Sequence, residues 1–464
     1  MATSINLDKS YIFENTFQIP YKNNKYILYN PINRFLALVT AQTINEIIDF
    51  LNSDRETANN KILQELDKKG LFKNPKKHDF DLNEKLIPYY APFQPHEVTL
   101  DITWKCNLKC IYCYGNGGDT SIDIDWNCAK SAIDLCIENC EKDQNTVGLH
   151  FHGNGEPTQN WSMLTELTDY TKNQTRNKNL NLKTSIATNG VISKKQALWI
   201  AENIDRISFS FDGNAYYQNK QRPLRDSSTS AKYAIRTANL WKSLGKSFNF
   251  RITVTKLNEN SIQSICDHLF GYYPKSFVAI EPMVLNGRAR NISDLSADPV
   301  KFAKTYVRIL KKYSSTEKRI FYSGFRGFST RRYFCGASKP HFAVMANGSV
   351  TSCFSYSSHE PIRDLFVFGD WDKTKNKFIF NKKTIAQLRG LNIDNDTYCG
   401  RCIAKYHCIG DCPAIRKYDL LEDNSFYEKF DVDFLKNRRC TINRTILKEV
   451  LIDLVDPINK REEN

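Results

Sequence analysis

The stretch Cys106-Asn-Leu-Lys-Cys110-Ile-Tyr-Cys113 follows an apolar, strand-like run and carries three closely spaced cysteines. Three residues separate the first two cysteines and two residues separate the last two. Three thiolates can hold three irons of a [4Fe–4S] cluster and leave the fourth iron open. An open iron can bind and reduce a ligand, so the triplet indicates chemistry as well as electron transfer. Closely spaced cysteines also form zinc sites, and both interpretations stay open at this point.

Length, charge and cysteine content narrow the class of protein. The chain has 464 residues, and 65 Lys and Arg against 51 Asp and Glu give a formal net charge of +14. The basic residues are spread out without a long tract, which favours a generally positive surface over a nucleic-acid site. We expect no secretory signal, no membrane span and no nucleic-acid partner, and therefore a cytoplasmic protein. The 14 cysteines then favour metal ligation over disulfides.

The pattern of apolar residues changes near residue 97 and divides the chain into regions. Strand-like segments within Lys25–Val39 and two helical patterns predict a winged-helix-like α+β domain over residues 1–75. Residues 76–96 are expected to be a linker. Residues 97–315 alternate six apolar runs with amphipathic helices, which predicts parallel units and a partial (β/α)6 barrel. Residues 316–464 form a cysteine-rich C-terminal region, and the fold class is therefore α/β. The six runs begin at Val98, Val147, Leu182, Arg206, Phe248 and Ser276.

The triplet and the strand ends that follow it resemble the radical S-adenosylmethionine (SAM) enzymes. HFHGNGEP (residues 150–157) follows the second strand and is similar to the Gly-Gly-Glu-Pro motif of that family, with Asn154 in place of the first glycine. ATNG (residues 187–190) ends the third strand and resembles the family's Thr-Asn-Gly turn. SFDG (residues 210–213) ends the fourth strand, with Arg222 nearby. His150 and His152 share one strand face, and we expect them to line the barrel interior.

The resemblance implies a cofactor and its contacts. An open iron would chelate SAM, and one-electron cleavage of SAM would give a 5′-deoxyadenosyl radical that abstracts a hydrogen atom. The cluster ligands implied are Cys106, Cys110 and Cys113. The SAM contacts implied lie near the adenine, the ammonium, the ribose and the carboxylate: Tyr112, Gly155, Glu156, Asn189, Ser210, Asp212 and Arg222. Turn and cap chemistry is the alternative for these strand-end residues.

Seven cysteines in the C-terminal third resemble the SPASM extension of radical SAM enzymes, which usually holds two auxiliary [4Fe–4S] clusters. One implied ligand set is complete and comprises Cys399, Cys402, Cys408 and Cys440. The other contains three cysteines, Cys335, Cys353 and Cys412, and its fourth iron could bind a substrate thiolate. A zinc ribbon is the alternative for residues 399–412. The cysteines left over are expected to lie in the core, namely Cys128, Cys136, Cys140 and Cys266.

The resemblance also implies a substrate class. Relatives with this architecture modify peptides, and the N-terminal pattern is similar to elements that bind leader peptides by adding a strand to a sheet edge. We expect a precursor peptide with a leader as substrate, a thioether or C–C crosslink as product, and a flavodoxin or ferredoxin as electron donor. Anaerobic sulfatase-type maturases are an alternative, although Phe354 stands where those enzymes carry an Asp. A zinc-bearing nucleic-acid-binding protein is the alternative from another class.

Overall fold

In the computed structural model of the protein, the described residues form two β-sheets. One is a four-stranded N-terminal sheet and the other has eleven strands. None of the helices described is long and apolar enough to cross a membrane. The structure describes residues 11–13, 15–52, 60–72, 85–143, 145–329, 331–354, 363–396, 399–416 and 432–462.

The N-terminal sheet is an antiparallel meander with helices on one face. Its elements are β1 (Tyr11–Phe13), β2 (Thr16–Pro20), β3 (Lys25–Asn30), β4 (Phe35–Thr40), α1 (Ala41–Asn52) and α2 (Lys61–Lys68). The strand pair and both helices expected from the sequence are present, whereas β1 and β2 are additional. Phe35 packs with Ile44 and Leu63 of the helices, while Ile27 and Tyr29 on the other face join the main core. The sheet is therefore covered on both faces.

Parallel strands and intervening helices build the barrel. The elements are β5 (Glu97–Leu100), α3 (Trp126–Asp143), β6 (Thr146–Phe151), α4 (Trp161–Asn177), β7 (Asn181–Thr188), α5 (Lys194–Asn203), β8 (Arg206–Ser210), α6 (Ala215–Gln221), α7 (Ala231–Ser243), β9 (Asn249–Val254), α8 (Ile262–Tyr272), β10 (Phe277–Pro282), α9 (Pro299–Tyr313) and β11 (Ile320–Phe321). Strands β5 to β10 pair in chain order, all parallel, and β11 extends β10. The predicted α/β class and six-strand barrel are confirmed.

Residues along each barrel strand alternate between a buried and a more accessible face. In β9, Phe250 and Ile252 are buried in the main core, whereas Arg251 between them is exposed. Because helices and the buried strand residues form one core, the accessible face is the inner surface of the barrel. Thr99, His150 and Ser185 lie in register across three neighbouring strands on that inner face. The inner surface of the barrel thus carries polar side chains at these positions.

The C-terminal region continues the same sheet. Its elements are β12 (Ala343–Val344), β13 (Ser349–Thr351), α10 (Arg363–Phe366), β14 (Val367–Asp372), β15 (Lys377–Phe380), α11 (Lys382–Arg389), α12 (Pro413–Arg416) and α13 (Val432–Glu462). Strand β12 pairs parallel with β5, and β13 to β15 follow as antiparallel neighbours. The predicted boundary at residues 315/316 therefore crosses a continuous sheet. Pattern along the chain could not indicate this, because strand order is set by long-range pairing.

Candidate functional site

The cysteine triplet lies in a loop at the C-terminal end of the first barrel strand. The loop runs beside the segment that follows α6. The N–H of Lys109 donates to the Pro223 carbonyl at 2.9 Å, and the N–H of Ile111 donates to the Gln221 carbonyl at 3.0 Å. These backbone bonds hold the cysteine loop against the segment that follows α6.

The three thiols of the triplet lie close enough to influence one another. Burial raises the pKa of the Cys110 thiol to about 12, and Cys113 adds to the shift. Burial also raises the pKa of Cys106, with further contributions from Cys110, Glu156 and Cys113. Thiols that oppose each other's ionisation need a positive partner to become thiolates, and bound iron is such a partner. An all-sulfur donor set of this kind fits an iron–sulfur cluster.

Polar groups surround the triplet. The N–H of Gly117 donates to Sγ of Cys113 at 3.4 Å, and Nδ2 of Asn189 lies 4.0 Å from Sγ of Cys106. The same Nδ2 donates to Oδ1 of Asn107 at 2.8 Å. Asn189, one of the residues selected from the sequence, therefore joins the third strand end to the first cysteine.

Arg288 lies beyond the end of the sixth barrel strand and holds the cysteine loop. It was not among the residues selected from the sequence. Its N–H donates to the Cys113 carbonyl at 3.0 Å, and its guanidinium donates to the Cys110 carbonyl at 3.3 Å. The preceding Gly287 has φ of +54°, and a Cβ there would collide with the Cys113 carbonyl oxygen. A Gly-Arg pair a few residues beyond the sixth predicted strand was the available signal.

Glu156 is buried and braces two strand ends. Its Oε1 accepts hydrogen bonds from the hydroxyls of Thr158 and Thr188, both at 2.8 Å, and its Oε2 accepts from the N–H of Asn189 at 2.7 Å. Burial raises the pKa of Glu156, against these hydrogen bonds. Beside it, Gly155 packs so closely on the Thr103 carbonyl that a Cβ would collide. Gly155 of the strand-end motif thus places its backbone, rather than a side chain, against the segment that leads into the cysteine loop.

Tyr112, Asp212 and Arg222 converge although they are far apart in sequence. The Tyr112 hydroxyl donates to Oδ2 of Asp212, and the Arg222 guanidinium lies 5.2 Å from the Tyr112 ring centroid. Nε of Arg222 lies 3.1 Å from Oδ2 of Asp212, an ion pair whose N–H is not aligned for a hydrogen bond. Burial opposes the charge on Arg222, but Asp212 raises its pKa overall. Ser210 ends β8 two residues before Asp212 and is partly exposed.

Two histidines lie on the second strand and just beyond it. Nδ1 of His150 is 2.7 Å from the Ser185 hydroxyl, and its Nε2 is 3.4 Å from Oε2 of Glu97. Nε2 of His152 is 3.3 Å from the Tyr114 hydroxyl. The two rings therefore lie in different surroundings. The ring of His150 lies among the strands, and the ring of His152 lies beside the cysteine loop.

The four cysteines of the larger predicted auxiliary set lie close enough to influence one another. Burial raises the pKa of Cys399, and Cys408, Cys402 and Cys440 add to the shift in that order. Burial raises the pKa of Cys408 as well, with contributions from Cys402 and Cys440. These thiols come from residues 399–408 and from helix α13, which brings the last one back from a distant part of the chain.

A buried ion pair fixes this arrangement. Nε and Nη2 of Arg439 donate to the two carboxylate oxygens of Asp411, each at 2.7 Å. Arg439 precedes Cys440, and Asp411 precedes Cys412, so the pair ties helix α13 to the loop between the two ligand sets. Neither residue was selected from the sequence.

Cys335, Cys353 and Cys412 are partly buried against the main core. Their use as a second ligand set stays a prediction. Among the described residues, no three His, Cys, Asp or Glu side chains are arranged to hold a single metal ion. The four cysteines expected in the core are buried there, namely Cys128, Cys136, Cys140 and Cys266.

Residues 101–269, which include the triplet and the ends of strands β6 to β9, match the family model of the Radical SAM superfamily. The chain contains a radical SAM domain. The resemblance found in the cysteine triplet is thereby confirmed for this part of the chain.

Known proteins similar to part of this chain include one curated relative. An uncharacterized protein of Methanocaldococcus jannaschii is 30% identical over 186 residues, which cover 39% of this chain and 62% of that protein. The match spans less than two thirds of that relative.

Two solved structures share the fold over a larger part of the chain. Native anSMEcpe with bound AdoMet has a TM-score of 0.58 at 20% identity, covering 78% of this chain and 99% of that chain. The same protein with bound AdoMet and the Cp18Cys peptide has a TM-score of 0.57 at 19% identity, with the same coverage of 78% and 99%. The radical SAM domain and part of its flanking regions therefore adopt a known architecture.

Proposed function

We propose that the chain is a radical SAM peptide maturase that takes a hydrogen atom from a residue of a ribosomally made precursor peptide. The product would be a thioether or C–C crosslink. The observation that carries this proposal is the convergence of the cysteine triplet with polar groups from the second, third, fourth and sixth strand ends. The fold shared with anSMEcpe supports it, because that protein binds AdoMet and the Cp18Cys peptide.

Cys106, Cys110 and Cys113 would hold the SAM cluster. When bound, the cluster would supply the open iron and the electron that cleaves SAM to methionine and the 5′-deoxyadenosyl radical. Arg288 keeps the loop carbonyls in place and Gly117 offers an N–H to sulfur.

The proposed SAM contacts come from the residues gathered around this loop. Oε2 of Glu156 accepts a bond from Asn189 and has a second acceptor position suited to an ammonium. The Tyr112 ring, fixed by its bond to Asp212, would lie against the adenine. Arg222 would face the SAM carboxylate, since a guanidinium matches a carboxylate in shape and charge. Gly155 and Ser210 would contribute backbone and hydroxyl groups.

Auxiliary cysteines would hold two further clusters, which carry away the electron released when the crosslink forms. Cys399, Cys402, Cys408 and Cys440 make one full ligand set. Cys335, Cys353 and Cys412 make the other, with an iron left for a substrate thiolate or another group. An acidic flavodoxin or ferredoxin suits the net charge of +14 as electron donor.

The leader of the precursor peptide would add to the edge of the N-terminal sheet. Strand β4 is the last strand in the order β1-β2-β3-β4, and within the described residues its partner is β3. Both faces of β4 are occupied: Ala37 and Val39 pack towards the helices, and Leu36 and Leu38 towards the main core. An extended peptide could therefore reach backbone groups along the free edge. Slower amide hydrogen exchange over Phe35–Thr40 on addition of the leader would support this, and unchanged exchange would contradict it.

The test of the proposed function starts with anaerobic purification. We expect a brown protein with roughly twelve irons per chain that forms 5′-deoxyadenosine from SAM and dithionite. Co-expression with a short peptide encoded next to the gene should give a crosslinked product by mass spectrometry. Cys106→Ala should abolish both activities, whereas Cys128→Ala, in the core of α3, should retain them. Colourless, zinc-loaded protein would contradict the proposal.

The sulfatase-type alternative requires an acid directly after Cys353. Phe354 occupies that position and packs edge-on against His152, with ring centroids 5.0 Å apart at 75°. An aromatic ring cannot accept the proton that an Asp would take there. The sulfatase-type alternative therefore lacks the acid that it requires at this position.

A further inference from the structure

Either bond of the proposed function, C–S or C–C, releases one proton and one electron when it forms. We propose that Nδ1 of His152 accepts this proton and that Tyr114 is the positioning residue that sets the tautomer of the ring. The inference rests on the proposed function and names a residue of the same site.

His152 lies where the two cysteine regions meet. Its N–H donates to the Leu100 carbonyl at 3.2 Å, which fixes the residue beyond the end of β6. One side of its ring faces Tyr114, the residue directly after Cys113. The other side contacts Phe354, the residue directly after Cys353. A substrate residue between the SAM cluster and the auxiliary region would therefore pass this ring.

The hydrogen bonds of Tyr114 determine which ring nitrogen of His152 is free. The Tyr114 hydroxyl donates to the Gly153 carbonyl at 2.7 Å. A phenol has one proton, so towards His152 its oxygen acts as acceptor. Nε2 of His152, 3.3 Å away, must then carry the hydrogen. The lone pair is left on Nδ1, the nitrogen able to accept a proton.

The surroundings keep the His152 ring neutral. Burial, followed by electrostatic contributions from Arg251 and His341, lowers the pKa of His152 to about 4. Arg251 comes from β9 and His341 from the segment before β12, where it is 2.8 Å from the Thr99 hydroxyl. At neutral pH the ring is therefore ready to accept a proton.

A weak base is sufficient for this step. The substrate carbon radical bonds to a thiol sulfur or an aromatic carbon, and the adduct gives its electron to an oxidised one-electron acceptor of the iron–sulfur class. What remains is a protonated thioether or an arenium cation, both much stronger acids than imidazolium. The S–H or C–H bond then breaks and its proton goes to Nδ1. A low pKa lets the ring pass the proton on to water.

The decisive comparison is His152→Gln against His150→Gln, two residues earlier on the same side of the strand. With wild-type protein and the co-expressed peptide, both 5′-deoxyadenosine and the crosslink are measured. We expect His152→Gln to keep 5′-deoxyadenosine formation and to form the crosslink at least about 100-fold more slowly. His150→Gln should stay within about threefold of wild type in both 5′-deoxyadenosine formation and crosslink formation. Crosslinking by His152→Gln at the wild-type rate would overturn the inference, whereas wild-type protein that makes no crosslink would overturn the proposed function itself.

A second measurement does not depend on activity. Diethyl pyrocarbonate modifies neutral imidazole, and mass spectrometry of the reconstituted protein reports each histidine. We expect His152 to react still at pH 5, where an ordinary imidazole with a pKa of about 6.5 is mostly protonated. The exposed His268 on α8 serves as the internal reference. No reaction of His152 at any pH would overturn the proposal, because the nitrogen would be closed to substrate.

Discussion

The backbone N–H of Asn189 donates to Oε2 of Glu156 at 2.7 Å, which joins the ends of the third and second barrel strands. The carboxylate is buried and takes its other hydrogen bonds from Thr158 and Thr188. Its geometry is therefore determined before SAM arrives, and the cysteine loop packs on a preformed support.

Replacing Glu156 by Gln should destabilise the barrel, because an amide NH2 would face at least one of these donors. We expect a loss of about 1–3 kcal/mol in the free energy of unfolding, together with weaker SAM binding. Anaerobic denaturant unfolding and equilibrium dialysis measure the two quantities. Glu166→Gln, exposed on α4, should change stability by less than about 0.5 kcal/mol. Equal stability of the two variants would contradict the bracing role.

Asp101 should make the stability of the barrel depend on pH. Burial raises its pKa to about 7, against hydrogen bonds from the N–H of Asn154 and from Nε1 of Trp104. Since the folded-state pKa lies above the ordinary value near 4, the stabilising contribution is full below about pH 4 and is lost as pH rises to about 7. Relative to Asp101→Asn, wild-type protein should lose up to about 1.4 kcal/mol per pH unit across this range. Unfolding at several pH values checks the slope, and parallel curves for the two proteins would contradict it.

Breaking the Asp411–Arg439 pair should remove an auxiliary cluster. Both side chains are largely buried, so Arg439→Met leaves a carboxylate without its partner, at a cost of about 3–5 kcal/mol. We expect the iron content to fall by about a third while SAM cleavage at the triplet continues. Iron analysis and a 5′-deoxyadenosine assay test both parts. Lys312→Met, from an exposed pair with Asp267 at 2.9 Å, should leave the iron content unchanged.

Tyr29 should couple the N-terminal sheet to the auxiliary region. Nδ1 of His407 is 2.8 Å from the Gly327 carbonyl and so carries the hydrogen, which leaves Nε2 to accept from the Tyr29 hydroxyl at 2.6 Å. Tyr29→Phe leaves this buried nitrogen without a donor and should cost about 1–3 kcal/mol. Faster amide exchange across β1 to β4 is the expected readout. Tyr26→Phe, on the same strand, is the matched control, and identical exchange in the two variants would argue against the coupling.

The strands of the barrel could be predicted because each is a local apolar run bounded by turn residues. The motifs at their ends could be predicted because they too are local. They were expected to lie close together because the carboxyl ends of parallel strands meet at one edge. The position of β12 beside β5 could not be predicted in this way. Two residues at positions 343–344 carry no pattern of their own, and their pairing depends on the rest of the fold.

The residues that were missed share one property. Arg288, Asp411, Arg439 and Tyr114 act through partners far away in the chain, and an isolated arginine or aspartate in a sequence does not show which partner it will find. Glu156 illustrates the reverse case. The sequence selected it as a SAM contact, and the structure adds three hydrogen-bonding partners that make it a brace as well.

The sequence by itself determined the kind of chemistry, because three cysteines at spacings of three and two residues and a series of strand-end motifs are local features. It also predicted which cysteines belong together in the larger C-terminal set, and that grouping stays a prediction. Only the tertiary structure decided how these groups are supported: which carboxylate bonds to which backbone, which arginine holds the cysteine loop, and which nitrogen of His152 carries the lone pair. Those choices follow from burial and hydrogen-bond direction, and both arise only when distant segments pack together.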